Sequence, residues 1–133
     1  MAQADAAKII KTALEQHWAE EPYTATLHVE DDFTPQPGSP VLLIADDGGA
    51  PVTGGPWLAR KDMLRITIRM TAFAAGRTEA RELLETGIDF LFSNRPAGIV
   101  RIENVPAALD ARDRETGAYL ASITVPVTVR PLV

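Results

Sequence analysis

The chain has 133 residues, of which 46% are hydrophobic and 23% charged, the size and composition of one ordinary globular domain. Its formal net charge of −5 gives no basis for attraction of the whole surface to nucleic acid or anionic lipid. No apolar run approaches the roughly 20 residues of a membrane span, and without cysteine there is neither a disulfide framework nor thiolate chemistry. We therefore expect a single domain over residues 1–133, no membrane association, and mainly protein partners.

The first half of the chain predicts one helix and two strands. Ala4 to about Trp18 has helical periodicity, with an apolar face made by Ala7, Ile10, Leu14 and Trp18 or His17. Charges occur throughout this segment, so it lacks the apolar core of a signal peptide. Tyr23 to Val29 alternates as a strand does, and VLLIA at 41–45 predicts a second, short strand after a proline-rich loop.

A stretch rich in glycine and proline follows the second strand. Asp46 to Pro56 contains four glycines, two prolines and the paired acids Asp46 and Asp47. This composition predicts either a long hairpin loop or a flexible surface arm. A loop of this length usually has a function.

The clearest pattern is a strand followed by a helix between Met63 and Asn94. The strand alternates apolar and polar residues, and after a turn at Gly76 the periodicity becomes that of a helix. We expect Thr78 to be its N-cap and Gly87 to allow close approach to the sheet. The predicted apolar stripe consists of Ala80, Leu83, Leu84, Gly87, Ile88, Leu91 and Phe92.

The last third predicts a short strand, a polar turn and a long final strand. These are Ile99 to Val105, Ala107 to Gly117, and Tyr119 to Arg130. Pro126 cannot donate to a ladder, so it indicates an edge strand or a bulge. The order of elements predicts an α+β domain with a small, mostly antiparallel sheet and two main helices packed on one face.

No strong catalytic, metal or phosphate-binding motif is present. His17 and His28 lie in different elements, and the spacing of the acids near Asp110 matches no calcium loop. Asp46 and Asp47 stand before Gly48 and Gly49, and acidic residues before glycines are common in turns. We expect no catalytic residues, no cofactor and no metal.

The outward face of the two longest strands is the more informative surface. Arg65, Arg69 and Arg130 alternate there with threonines. This pattern is typical of a solvated sheet face. It also fits a subunit interface, because arginine forms bidentate pairs with carboxylates across interfaces.

The chain resembles the tail terminator proteins of long-tailed, siphovirus-like bacteriophages. The resemblance follows an order of features along nearly the whole chain: an N-terminal amphipathic helix, a Pro- and Gly-rich segment, the unit LRITIRMTAFAAGRTEARELLETGIDFL, the turn DRETG and the final strand ASITVPVTVRP. Most of the resemblance lies in the strand, the turn after it and the Arg-x-x-Ala-Arg sequence at the start of the helix. The resemblance implies an α+β sandwich without catalytic residues.

The resemblance further implies a structural virion protein at the head-proximal end of the tail, assembled in the host cytoplasm. Such a protein forms a hexameric ring on the tail tube, stops polymerisation of the major tail tube protein and presents a surface to head-completion and neck proteins. DNA would pass through the ring without specific binding, which an acidic protein allows. We expect the 46–56 arm and the strand around Pro126 to contact neighbouring subunits or the tube.

Two alternatives remain open at this point. A head-tail connector or stopper protein of the neck would share the size and the lack of catalytic motifs. A small enzyme or ligand-binding domain would need a pocket with convergent polar groups.

Overall fold

The computed structural model describes residues 5–30, 33–52, 60–103, 107–114 and 116–129, with the backbone alone for 47–52 and 60–64. These residues form two helices and six strands. In chain order they are α1 (Ala6–His17), β1 (Thr24–Thr26), β2 (Val41–Val52), β3 (Arg60–Ala74), α2 (Arg77–Ser93), β4 (Ile99–Ile102), β5 (Leu109–Arg112) and β6 (Tyr119–Val129).

The six strands form one sheet in the order β1-β2-β3-β6-β4, and β5 also pairs with β6. Only the short β1–β2 pair is parallel; the other pairs are antiparallel. The two longest alternating segments, β3 and β6, pair without a register shift from Leu64 opposite Val129 to Ala74 opposite Tyr119. The predicted α+β class with a mostly antiparallel sheet is confirmed.

Both helices pack against one face of the sheet. The strand residues on that face include the buried side chains of Leu42, Ile44, Ile66, Ile68, Met70, Ala72, Ile123, Val125 and Val127. Gly87 of α2 packs closely against the sheet, because a Cβ placed there would lie 3.2 Å from Leu42 Cδ2 and 3.6 Å from Met70 Cε. The predicted reason for a glycine at this position is confirmed.

The predicted core stripe of α2 is confirmed except at its edge. Ala80, Leu83, Leu84, Gly87 and Leu91 are buried and Ile88 is partly buried against the core, whereas Phe92 is 44% exposed. In α1, the buried residues are Ala6, Ala7, Ile10 and Leu14, followed by Trp18 just beyond the helix.

The two helices begin differently. Asp5 caps α1 by accepting a hydrogen bond from the Lys8 amide at 3.1 Å. The N-cap of α2 is Gly76, without a side-chain cap, so the prediction of Thr78 is wrong. Beginning the helix at Arg77 places Arg77 and Arg81 one turn apart, so that both reach Asp110 of β5.

The stretch predicted as a loop at 46–56 is a strand over its first seven residues. β2 continues to Val52 and pairs with β3, and Asp47 and Gly48 stand opposite the single residue Thr67 as a bulge. Backbone pairing with the long β3 therefore overrides the turn composition. Residues 53–56 of the predicted loop lie outside the described residues.

Pro126 lies in an interior strand, so the prediction of an edge strand is wrong. β6 runs between β3 and β4, and Pro126 stands opposite Thr67 with continuous register. Its carbonyl accepts from the Glu103 amide at 3.0 Å, on the side away from β3. Since the nitrogen and oxygen of a strand residue point the same way, the missing N–H costs the β3 ladder no hydrogen bond.

Two predicted boundaries also change. The segment predicted as a polar turn at 107–117 contains β5, which pairs with the start of β6. The predicted first strand, Tyr23 to Val29, is reduced to Thr24–Thr26. It ends where the Thr26 hydroxyl bonds both the carbonyl and the amide of His28, at 3.0 and 3.3 Å, and turns the backbone away.

Candidate protein-interaction surface

The sheet face opposite the helices is the candidate functional surface, and we call it the open face. Alternation and register place on it the outward residues of all six strands. They are Thr24 and Thr26 of β1; Val41, Leu43 and Ala45 of β2; Arg65, Thr67, Arg69, Thr71 and Phe73 of β3; Arg101 of β4; Leu109 and Ala111 of β5; and Leu120, Ser122, Thr124, Pro126 and Thr128 of β6.

One end of the open face carries the arginines. Arg65, Thr128 and Arg101 form a row across β3, β6 and β4, and the Arg65 Nε donates to Glu103 Oε2 at 2.5 Å. This hydrogen bond lowers the pKa of the Glu103 carboxyl and raises that of Arg65. The pair spans β6 and links Glu103, the residue after β4, to β3.

The other end of the open face is more apolar. The ring of Phe33 packs edge-on against Phe73, with centroids 6.4 Å apart. The hydroxyls of Thr71 and Ser122 are 3.0 Å apart across the β3–β6 pair. Leu109 on the outer strand β5 is 76% exposed, the highest value among the large apolar residues described. An exposed leucine on the same sheet face as the half-buried Leu120 and Phe73 is typical of a protein contact surface.

The structure brings together three of the six residues predicted to form an interface. Arg65, Arg69 and Pro126 share the open face, with Pro126 opposite the residue between the two arginines. The predicted role of Arg65 as a charge free for a neighbour needs correction, because Glu103 of the same chain already pairs with it. Arg69 is exposed and also has an intramolecular interaction.

The register does not place the remaining three predicted residues on the open face. Asp46 is exposed in β2, and its register partner Ile68 belongs to the helix side of the sheet. Asp47 lies in the adjacent bulge, where its backbone alone is described, and Arg130 lies outside the described residues.

Sequence reasoning missed Arg101, Glu103 and Leu109. Arg101 and Glu103 follow a bulge between Ile99 and Arg101, which shifts the alternation by one residue. Leu109 belongs to a strand of four exposed residues, which shows no hydrophobic periodicity. No short sequence signal identified these positions.

A second polar cluster joins β5 to α2. Asp110 accepts from Arg77 Nη2 and Arg81 Nε, both at 3.1 Å. Farther along α2, a groove of about 300 Å³ runs beside residues 107 and 108, with Leu84, Ile88 and Ile123 in its lining. Glu85 and Asp89 also border this groove.

The described residues contain no group of three or more histidine or acidic side chains that could hold a metal ion. Within the same ranges, neither helix is long and apolar enough to cross a membrane. In comparisons with known proteins, no family model matches the chain, and a search of curated proteins finds no match either.

Proposed function

We propose that this protein is a structural virion subunit, a tail terminator that forms a ring on the phage tail tube and does no catalysis. The observation that carries the proposal is the open face. One layer of helices buries one side of the sheet, while the other side presents arginines at one end and apolar residues at the other. A sheet face with this mixture of arginine and exposed leucine has the composition of a protein interface.

The paired strands β2 and β3 support the proposal in a second way. They form an antiparallel ribbon. β3 begins four residues before Leu64, which is the first β3 residue described as paired with β6. The bulge at Asp47 and Gly48 lies in this ribbon and increases its local twist. Together with the 53–59 connection, the ribbon is the part of the chain that we propose to contact a neighbouring subunit or the tube.

The proposed partners follow from the resemblance described above. They are further copies of this chain, six to a ring, the major tail tube protein below the ring and head-completion or neck proteins above it. The acidic balance of the chain is compatible with DNA passing through the ring without being held. The proposed location is the head-proximal end of the virion tail.

A tube-length assay tests this function. The purified chain is added to polymerising tail tube protein from the same genome, and products are measured by negative-stain microscopy. We expect tubes that stop growing and carry a ring at one end. Tubes that grow equally long with and without the chain would refute the proposal, and binding to isolated neck complexes but not to tube ends would favour a connector or stopper instead.

A further inference from the structure

We infer that the outward side of α2 is a docking surface for the open face of a second copy of this chain. The inference rests on the proposed ring, since it identifies the two surfaces that meet between neighbouring subunits. The α2 surface consists of Glu82, Glu85 and Asp89 together with the groove beside residues 107 and 108.

The acidic side of α2 has no ionic partner among the described residues. Glu82, Glu85 and Asp89 are all exposed and lie within one stripe of the helix, because their spacing of three and four residues returns to the same side. None of them forms an ion pair with another described residue. At the other end of the helix, by contrast, Asp110 pairs with Arg77 and Arg81.

The groove beside these acids has an apolar lining. Leu84, Ile88 and Ile123 contribute to it, and Glu85 and Asp89 stand at its border. Arg81 also lines the groove, but its charge is paired with Asp110. A surface with an apolar floor and carboxylates at its edge fits side chains with an aliphatic stem and a cationic end. Arginine has that form.

The same chain carries the complementary surface on the other side of the molecule. Among the described side chains, the register places Arg65, Arg69 and Arg101 on the open face, and Glu103 lies beside Arg65. Glu103 forms its ion pair with Arg65, and the nearby charge of Arg101 only adds to the lowering of the Glu103 pKa, so we assign Arg101 to the α2 acids of the neighbour. Arg69 would border the same contact.

The two surfaces also match in size. Arg65 and Arg101 lie two strands apart, roughly 10 Å, and Arg69 lies four residues along β3, roughly 13 Å. Glu82 and Asp89 are seven helical residues apart, roughly 10 Å. Because the surfaces lie on opposite sides of one molecule, the contact is head-to-tail. Such contacts close into rings when the rotation between subunits permits.

Charge exchange tests the contact. Glu85→Lys and Arg101→Glu each place like charges across the interface, and each should weaken self-association by at least about tenfold, measured by sedimentation velocity. The double variant, Glu85→Lys with Arg101→Glu, restores opposite charges and should recover most of the loss. Glu20→Lys, an exposed site after α1, is the matched charge control and should leave assembly unchanged.

A mixture of the two single variants should also assemble, because each supplies the surface that the other needs. If neither single variant weakens self-association, or if the double variant associates no better than the weaker single variant, this interface is overturned. The proposed function would still stand. A wild-type chain that stays monomeric both alone and with tail tube protein overturns the inference and the proposed function together.

Discussion

At the scale of single residues, Gly87 controls how closely α2 lies against the sheet and α1. A Cβ added at Gly87 would lie 3.2 Å from Cδ2 of Leu42 and 3.5 Å from Cη2 of Trp18. A methyl group is therefore accommodated only if Leu42 shifts by a few tenths of an ångström, and a larger side chain has no space. The glycine loses roughly 1 kcal/mol of helix propensity relative to alanine in exchange for this packing.

Substitution of Gly87 measures this packing. We expect Gly87→Leu to lower the free energy of unfolding by about 2 kcal/mol or more, because it overpacks a filled core. Gly87→Ala should stay within about 1 kcal/mol of wild type, since the gain in propensity opposes the tight contact. Urea unfolding followed by circular dichroism gives both values. Equal stability of the leucine variant and wild type would contradict the close approach.

The ion pair between Arg65 and Glu103 makes a prediction about pH. The Glu103 pKa lies below its ordinary value of 4.5 because Arg65 donates a hydrogen bond to the carboxylate. A carboxyl group whose pKa is lowered by folding adds stability above its unfolded pKa and loses it as the pH falls through the folded value. The effect is small, because the two side chains are 52% and 28% exposed and solvent screens them.

We therefore expect Glu103→Gln to lower the melting temperature above about pH 4.5, with a difference from wild type that shrinks in more acidic solution. Thermal unfolding between about pH 3 and pH 7 measures it. Glu20→Gln removes an exposed carboxylate elsewhere and is the control. A difference between the Glu103 variant and wild type that is constant across this range would show that the pair does not contribute.

Several residue-scale predictions from the sequence were right for identifiable reasons. Alternation in β3 and β6 placed Ile68 and Val125 inside and Arg65 outside, because period-two burial is directly visible in a sequence. The partner of Arg65 was not predictable, since Glu103 follows a bulge and lies 38 residues away. Thr78 is a residue type that favours the N-cap position, but α2 begins at Arg77 after the N-cap Gly76, which has no side-chain cap.

At the scale of elements, β5 depends on few interactions. All four of its residues are exposed, and it is held by pairing with β6 and by Asp110 bonded to Arg77 and Arg81. Arg112 adds a contact with its guanidinium carbon 5.0 Å from the centre of the Tyr119 ring. We infer that β5 opens more readily than β3 or β6.

Removing the carboxylate of Asp110 should release this strand locally. We expect Asp110→Asn to speed hydrogen exchange at the amides of β5 by up to about fivefold, while the overall melting temperature changes little. Glu82→Gln on α2 is the control, because Glu82 makes no ion pair with another described residue. Unchanged exchange in β5, or equal acceleration in β3, would argue against an ionic attachment of β5 to α2.

The elements that sequence reasoning missed share a physical cause. β5 and the far half of β2 have little strand propensity of their own, since one is polar and the other contains Gly48, Gly49 and Pro51. Both are strands because a long neighbour, β6 or β3, supplies a complete row of backbone partners. Pro126 likewise lies in an interior strand because β6 has β3 on one side and β4 on the other. The pattern along the sequence does not show which strands become neighbours.

At the scale of the whole molecule, the proposed contact joins charged groups of opposite sign. Glu82, Glu85 and Asp89 lie on α2, and Arg101 lies on the open face with Arg69. Contacts between surfaces of this kind weaken as salt is added, because exposed charges are screened over about 8 Å at physiological ionic strength. Assembly of the wild-type chain should therefore fall with added sodium chloride, and assembly that strengthens with salt would indicate an apolar interface instead.

The central claim is that copies of this chain close into a ring, and the mass of the assembled protein tests it most directly. Light scattering on the purified chain, alone and in the presence of tail tube protein, with negative-stain class averages of the same sample, measures both mass and symmetry. The account predicts a discrete species of six times 14.4 kDa with a central opening. A single species of 14.4 kDa under both conditions, or open-ended filaments, would contradict it.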